Sequence, residues 1–206
     1  WDTPNGVRAD ALPRRLLEKI RKSGVRELRI AIESADQDVL ENIVRKRLDL
    51  DKVMETIRNC KELGIPLSAF YVVGMPGETK ELIQKTLDLA YELMKSYNVT
   101  PHVNIAMPLV GTEMYDIAVK NNYIIKDDYT TGSIFGMGMM HTPEFGPDDI
   151  KMMTAEFYRK VRNLYIVKTV KSPRKMVRNM KVFLRYPRST MRILKTAMKY
   201  TEKVNE

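Results

Sequence analysis

Phe70-Tyr71-Val72-Val73-Gly74-Met75-Pro76-Gly77-Glu78-Thr79 joins an apolar run to a Gly-Met-Pro-Gly turn and then to the start of an amphipathic helix. Residues 67–73 are apolar on both faces and rich in strand-forming types, the pattern of a strand buried inside a parallel sheet. Thr79 is a helix-capping residue, and Leu82, Ile83, Leu87, Ala90, Leu93 and Met94 follow it at helical spacing. In parallel α/β folds, ligands sit where strand carboxyl ends meet such turns, because backbone N–H groups there are free to face a small molecule. On this stretch alone, the turn is either a ligand loop or a plain connection whose glycines serve the bend.

Upstream, residues 1–9 read as the exit of a strand or a loop, with Pro4-Asn5-Gly6 as turn material. Asp10 is the expected N-cap of a helix with Pro13 in its first turn and Leu12, Leu16, Leu17 and Ile20 as its apolar stripe. Residues 28–32 read as a strand ending on Glu33-Ser34. Asp36 then caps a helix through Val39, Leu40, Ile43 and Val44, closed by Arg45-Lys46-Arg47 where the helix dipole favours cations. Asp51 starts another, carrying Val53, Met54, Ile57, Cys60 and Leu63 to a stop at Gly64.

Downstream, residues 99–107 form a further strand, and Gly111-Thr112-Glu113 opens a short helix. Residues 123–140 are rich in Gly, Met and Thr, and read either as a mobile segment or as the lining of an apolar substrate site. A helix is expected from Gly146-Pro147-Asp148 to about Lys168, with two more starting at Pro173 and Pro187. Strands joined by helices of this length demand right-handed crossovers and a parallel sheet. A sheet with helices on one side leaves an open edge and an uncovered face, which a full or partial (βα) barrel would close. The expected division is 1–122 for the α/β part, 123–146 for the loop and 147–206 for a basic helical extension.

The composition, 44% hydrophobic and 30% charged over 206 residues, is that of a soluble globular protein. No run reaches the roughly 18 apolar residues of a membrane span, and no secretion leader opens the chain. The chain opens on Trp1 with no initiator Met, so it is expected either to have lost something from its front or to be a piece of a longer chain. The single cysteine, Cys60, excludes an internal disulfide and points to the cytoplasm; with only His102 and His141 beside it, nothing has zinc- or iron-site spacing. The net charge of +9 is uneven. Residues 151–206 hold sixteen Lys and Arg against Glu156, Glu202 and Glu206, a net of +13, which leaves −4 for the first 150. That asymmetry reads either as contact with an anionic partner, lipid or nucleic acid, or as a solvated helical face.

Four segments, residues 4–10, 30–34, 70–79 and 104–113, occur in an order and spacing that resembles the second half of a radical S-adenosylmethionine (radical SAM) core domain. In style they are most similar to the B12-binding radical SAM proteins. The resemblance implies the C-terminal half of a partial (βα)6 TIM-like barrel, with Trp1 to Asn5 as the tail of the preceding strand. It implies two cofactors in the intact protein, SAM and a 4Fe-4S cluster, and leaves room for cobalamin. No CxxxCxxC cluster motif is present, so the missing N-terminal half of the barrel is the implied partner.

Carried over by the resemblance, Glu33 accepts from the SAM ribose hydroxyls and Arg45 pairs with the SAM carboxylate, both chemically suited to the task. Gly74, Met75 and Pro76 accommodate the adenine, Ala106 and Met107 flank it, and Asn5 and Arg8 face the same barrel mouth. The implied chemistry is reductive cleavage of SAM to a 5′-deoxyadenosyl radical. This chain alone is expected to be inactive, since it lacks the cluster ligands. The alternatives are an RNA-modifying radical SAM enzyme and a non-catalytic half-barrel that assembles through its open sheet edge with another chain or a second copy. The expected location is cytoplasmic, with the basic C-terminal helices lying on an anionic membrane surface.

Overall fold

The computed structural model describes residues 1–125, 140–172 and 184–185, and divides into two compact units, Trp1–Thr154 and Ala155–Glu206. The first unit is built on a four-stranded, wholly parallel sheet in the order β1 (Val7–Arg8), β2 (Leu28–Glu33), β3 (Leu67–Val73), β4 (Thr100–Ile105). Between the strands run α1 (Arg14–Lys22), α2 (Leu50–Glu62) and α3 (Lys80–Tyr97). This α/β arrangement is that of a partial TIM-like barrel.

Strand alternation decides which side is the core. Leu28, Ile30, Ile32, Leu67, Ala69, Tyr71 and Val73 are buried on one face, together with Val53, Ile57 and Cys60 of α2 and Ile83, Leu87 and Ala90 of α3. Each buried Val, Leu or Ile side chain among them contributes about 1.5–3 kcal/mol by leaving water. The opposite face carries the row Ala31, Phe70, His102, in which the Phe70 and His102 rings lie 5.3 Å apart.

α3 begins on Thr79, whose hydroxyl accepts from the Leu82 N–H at 3.4 Å, and ends on Asn98 in the left-handed conformation. A short α4 (Glu113–Lys120) is capped by Thr112, and α5 (Pro147–Val170) starts at the expected Pro147.

Several boundaries differ from expectation. The first strand is Val7–Arg8 and not the tail at 1–5, where Asp2 makes only an isolated parallel bridge to Glu27. Asp10 does not cap α1, because its carboxylate is engaged by Arg8 at 2.7 Å and by the Asp49 N–H at 3.2 Å; Pro13 occupies the cap position, after a 3₁₀ turn at Ala9–Ala11. Asp49, not Asp51, caps α2, accepting from the N–H groups of Asp51 and Lys52.

The helix expected after Asp36 is a single π turn, Val39–Ile43, closed by the Val44 N–H on the Val39 carbonyl at 2.8 Å. Asp36 does cap it, accepting from Val39, but the chain leaves it at once through Arg45 in the left-handed region (φ 55°). The expected helices at Pro173 and Pro187, and most of the Gly- and Met-rich loop, lie outside the described residues.

Candidate functional site along the carboxyl edge of the sheet

The parallel register places the ends of all four strands along one edge. Val7 pairs with Ile30, Glu33 with Tyr71, and Val73 with Ile105, so Arg8, Glu33, the turn at Gly74 and Ala106-Met107 succeed one another across the sheet.

Glu33 ends β2 beside a bulge between Ala31 and Glu33, and its backbone is left-handed at φ 69°. A non-glycine residue held there is strained by about 1–2 kcal/mol and persists only where its surroundings impose it. Its carboxylate Oε1 receives the Lys46 Nζ at 2.7 Å, and the same ammonium donates to the Ala31 carbonyl at 3.1 Å. The two side chains are 19% and 21% exposed, so the carboxylate is shielded but reachable.

Arg8 and Arg45 behave differently from each other. Arg8 donates to the Lys46 carbonyl at 2.9 Å and to the Arg47 carbonyl at 2.5 Å, and pairs with Asp10. Its guanidinium therefore ties the 45–47 segment to the first strand. Burial pushes the Asp10 carboxyl up, but the hydrogen bond from Arg8, the Asp49 N–H and the Arg8 charge together hold it below its ordinary value. Arg45 projects to the Glu113 carboxylate at 2.7 Å with its side chain 64% exposed. Asn5 is exposed in the turn closed by the Gly6 N–H on the Thr3 carbonyl.

The turn after β3 is held from within. Glu78 is fully buried, and its Oε2 accepts from the Met75 N–H at 2.7 Å while its own N–H returns to the Met75 carbonyl at 3.0 Å. Its Oε1 finds no hydrogen-bond partner. Burial raises this carboxyl to about 7, against the opposite pull of the Met75 and Gly74 N–H groups. Gly74 is left-handed at φ 83°, and a Cβ there would meet Ile150 Cδ1 at 3.3 Å; a Cβ on Gly77 would meet Ile43 of the π turn at 3.2 Å. Met75 and Pro76 are half-buried, and Met75 packs against a small cluster of Ala106, Ala118 and Met140. Ala106 is placed by its N–H bond to the Val73 carbonyl at 2.8 Å, and Met107 next to it is half-buried.

Glu33, Gly74 to Pro76, Ala106, Met107 and Arg8 thus share the edge, whereas Arg45 turns to solvent and to Glu113. Two residues of this edge were not singled out from the sequence. Glu78 carries a signal of its own, a carboxylate following a Pro-Gly turn and able to fold back onto turn amides. Lys46 carries none that separates it from Arg45 and Arg47. Among the described residues, no group of three or more His, Cys, Asp or Glu could hold a metal ion, and the Cys60 thiol is pushed up to about 12 by burial. No described helix is long and apolar enough to cross a membrane.

Comparison with known proteins gives the family of the first strands. The radical SAM superfamily model matches residues 3–90. A cytidylyl-2-hydroxyethylphosphonate methyltransferase of Streptomyces wedmorensis is 26% identical over 77% of this chain and 30% of its own length. An uncharacterized methyltransferase of Pyrococcus horikoshii is 24% identical over 57% of this chain and 25% of its own. A tRNA-2-methylthio-N(6)-dimethylallyladenosine synthase of Anoxybacillus flavithermus is 32% identical over 38% of this chain and 16% of its own. The chain spans less than a third of the length of each of these relatives. Residues 3–90, which carry β1, β2 and β3 of the parallel sheet, are a domain of the radical SAM superfamily.

Proposed function

We propose that this chain supplies the ribose and adenine side of the SAM pocket of a radical SAM methyltransferase. The observation that carries the reading is the alignment of Glu33, the Gly74-Met75-Pro76 turn and Ala106-Met107 along one carboxyl edge. The donor set fits that part of SAM. A reachable carboxylate accepts from vicinal hydroxyls, and a backbone turn with an apolar neighbour suits a flat base. Arg45 would exchange its exposed Glu113 partner for the methionine carboxylate, a swap of low cost because exposed pairs are worth about 0–1 kcal/mol.

The 4Fe-4S cluster on which the family's reductive chemistry depends does not fit this chain, whose one cysteine is Cys60. No step is therefore assigned to these residues beyond binding and orienting SAM. Methyl transfer is favoured because two relatives bear that name.

Titration calorimetry of the purified chain with SAM tests the reading. Binding is expected, weakened about tenfold by Glu33→Gln, since a hydrogen bond to a charged group is worth about 1.5–3 kcal/mol. With a chemical reductant and no added partner, no 5′-deoxyadenosine is expected. Absence of SAM binding at millimolar ligand would sink the pocket, and release of 5′-deoxyadenosine by the chain alone would sink the division of labour.

A further inference from the structure

The 45–47 segment is fixed on three sides. The Lys46 N–H donates to the Leu40 carbonyl at 2.8 Å, Arg8 holds the carbonyls of Lys46 and Arg47, and the Lys46 ammonium reaches Glu33 and the Ala31 carbonyl. Three non-glycine residues in the left-handed region, Glu33, Arg45 and Arg47, stand on the two segments that this contact joins. Strain gathered at one contact marks a geometry that the rest of the fold imposes. Its product is a Glu33 carboxylate with Oε1 taken by Lys46 and, among the described residues, no hydrogen bond on Oε2. The π turn matters here. Past it, the chain turns through left-handed Arg45, with Arg45 paired to Glu113 and Lys46 to Glu33.

We propose that Lys46 is the positioning residue for Glu33, orienting its carboxylate so that the second oxygen faces the hydroxyls of a ribose. Resting on the SAM-pocket reading above, this makes Lys46, rather than either flanking arginine, the cation that prepares the ribose subsite. Lys46 acts through Glu33 and touches neither the base nor the methionine end of the ligand.

The test is a set of titrations of the full chain with adenosine, 2′,3′-dideoxyadenosine and SAM, followed by NMR, with far-UV circular dichroism to check folding. Lys46→Met is expected to weaken adenosine and SAM alike, by about tenfold, and to leave dideoxyadenosine unchanged. Lys46→Arg should recover part of the loss. In a Glu33→Gln background, Lys46→Met should cost nothing more, because the two residues form one coupled pair. Should Lys46→Met not fold, Lys46→Gln takes its place with the same expectations.

An equal loss on dideoxyadenosine would show a general structural role, and a loss confined to SAM would show direct contact with the methionine carboxylate; either overturns the proposal, as does no loss at all. Loss on Arg45→Ala in place of Lys46→Met would also overturn it while leaving the pocket intact. If the unmodified chain binds neither adenosine nor SAM, the pocket itself falls, which separates the two failures.

Discussion

A carboxyl group with no exposed surface is costly to ionise, and Glu78 is such a group at the turn after β3. Its folded value of about 7 lies above its ordinary 4.5, so the proton is held more tightly in the folded state. The stability this contributes is complete below pH 4.5 and is lost as the pH rises through 7. Each pH unit in that window costs about 1.4 kcal/mol, roughly 3 kcal/mol in all. Asp10 and Asp36 are shifted the other way, but they act only at or below their ordinary value of 3.8. Glu78→Gln, whose amide oxygen can still accept from Met75, should therefore flatten the fall in urea midpoint between pH 5 and 7 and be relatively more stable at pH 8. An unchanged slope in the variant would place the cause elsewhere.

At the scale of elements, βαβ order, the caps at Thr79 and Thr112 and the start of α5 were all legible in the sequence, because local hydrogen bonds and apolar spacing decide them. The turn at Gly74 was legible as a candidate site for the same reason. The π turn was not. Val39, Leu40 and Ile43 fit one turn of either helix type, and the choice rests on contacts with Leu40, Glu33 and Arg8. Asp10 misled in the same way, its cap chemistry diverted by Arg8 and Asp49.

The turn's packing can be separated from its conformation by comparing two glycines. Gly24 and Gly74 have nearly the same φ, 81° and 83°, but a Cβ on Gly24 meets nothing within 4 Å whereas one on Gly74 meets buried Ile150 at 3.3 Å. Gly24→Ala should cost about 1 kcal/mol from backbone strain alone. Gly74→Ala should cost about 1–3 kcal/mol more, the range for overpacking a filled site. Equal losses in urea unfolding would mean that the Ile150 contact yields freely.

Across the whole molecule the charge is sharply divided. The family match ends at residue 90, and the positive excess begins beyond residue 150. Residues 173–206 alone hold ten Lys and Arg against Glu202 and Glu206, with Val177, Phe183, Leu184 and Leu194 among them. The last turns of α5 lead into them with Tyr165, Ile166 and Val170 exposed. Basic residues close to an anionic bilayer are each worth about 1 kcal/mol, and the attraction is screened over about 10 Å at 0.1 M salt. The chain should therefore cosediment with phosphatidylserine-containing vesicles at low ionic strength and release as salt is raised. A chain ending at residue 172 should stay in the supernatant. Equal binding to neutral vesicles would assign the contact to apolar insertion, and no binding at low salt would leave the basic segment to a different anion.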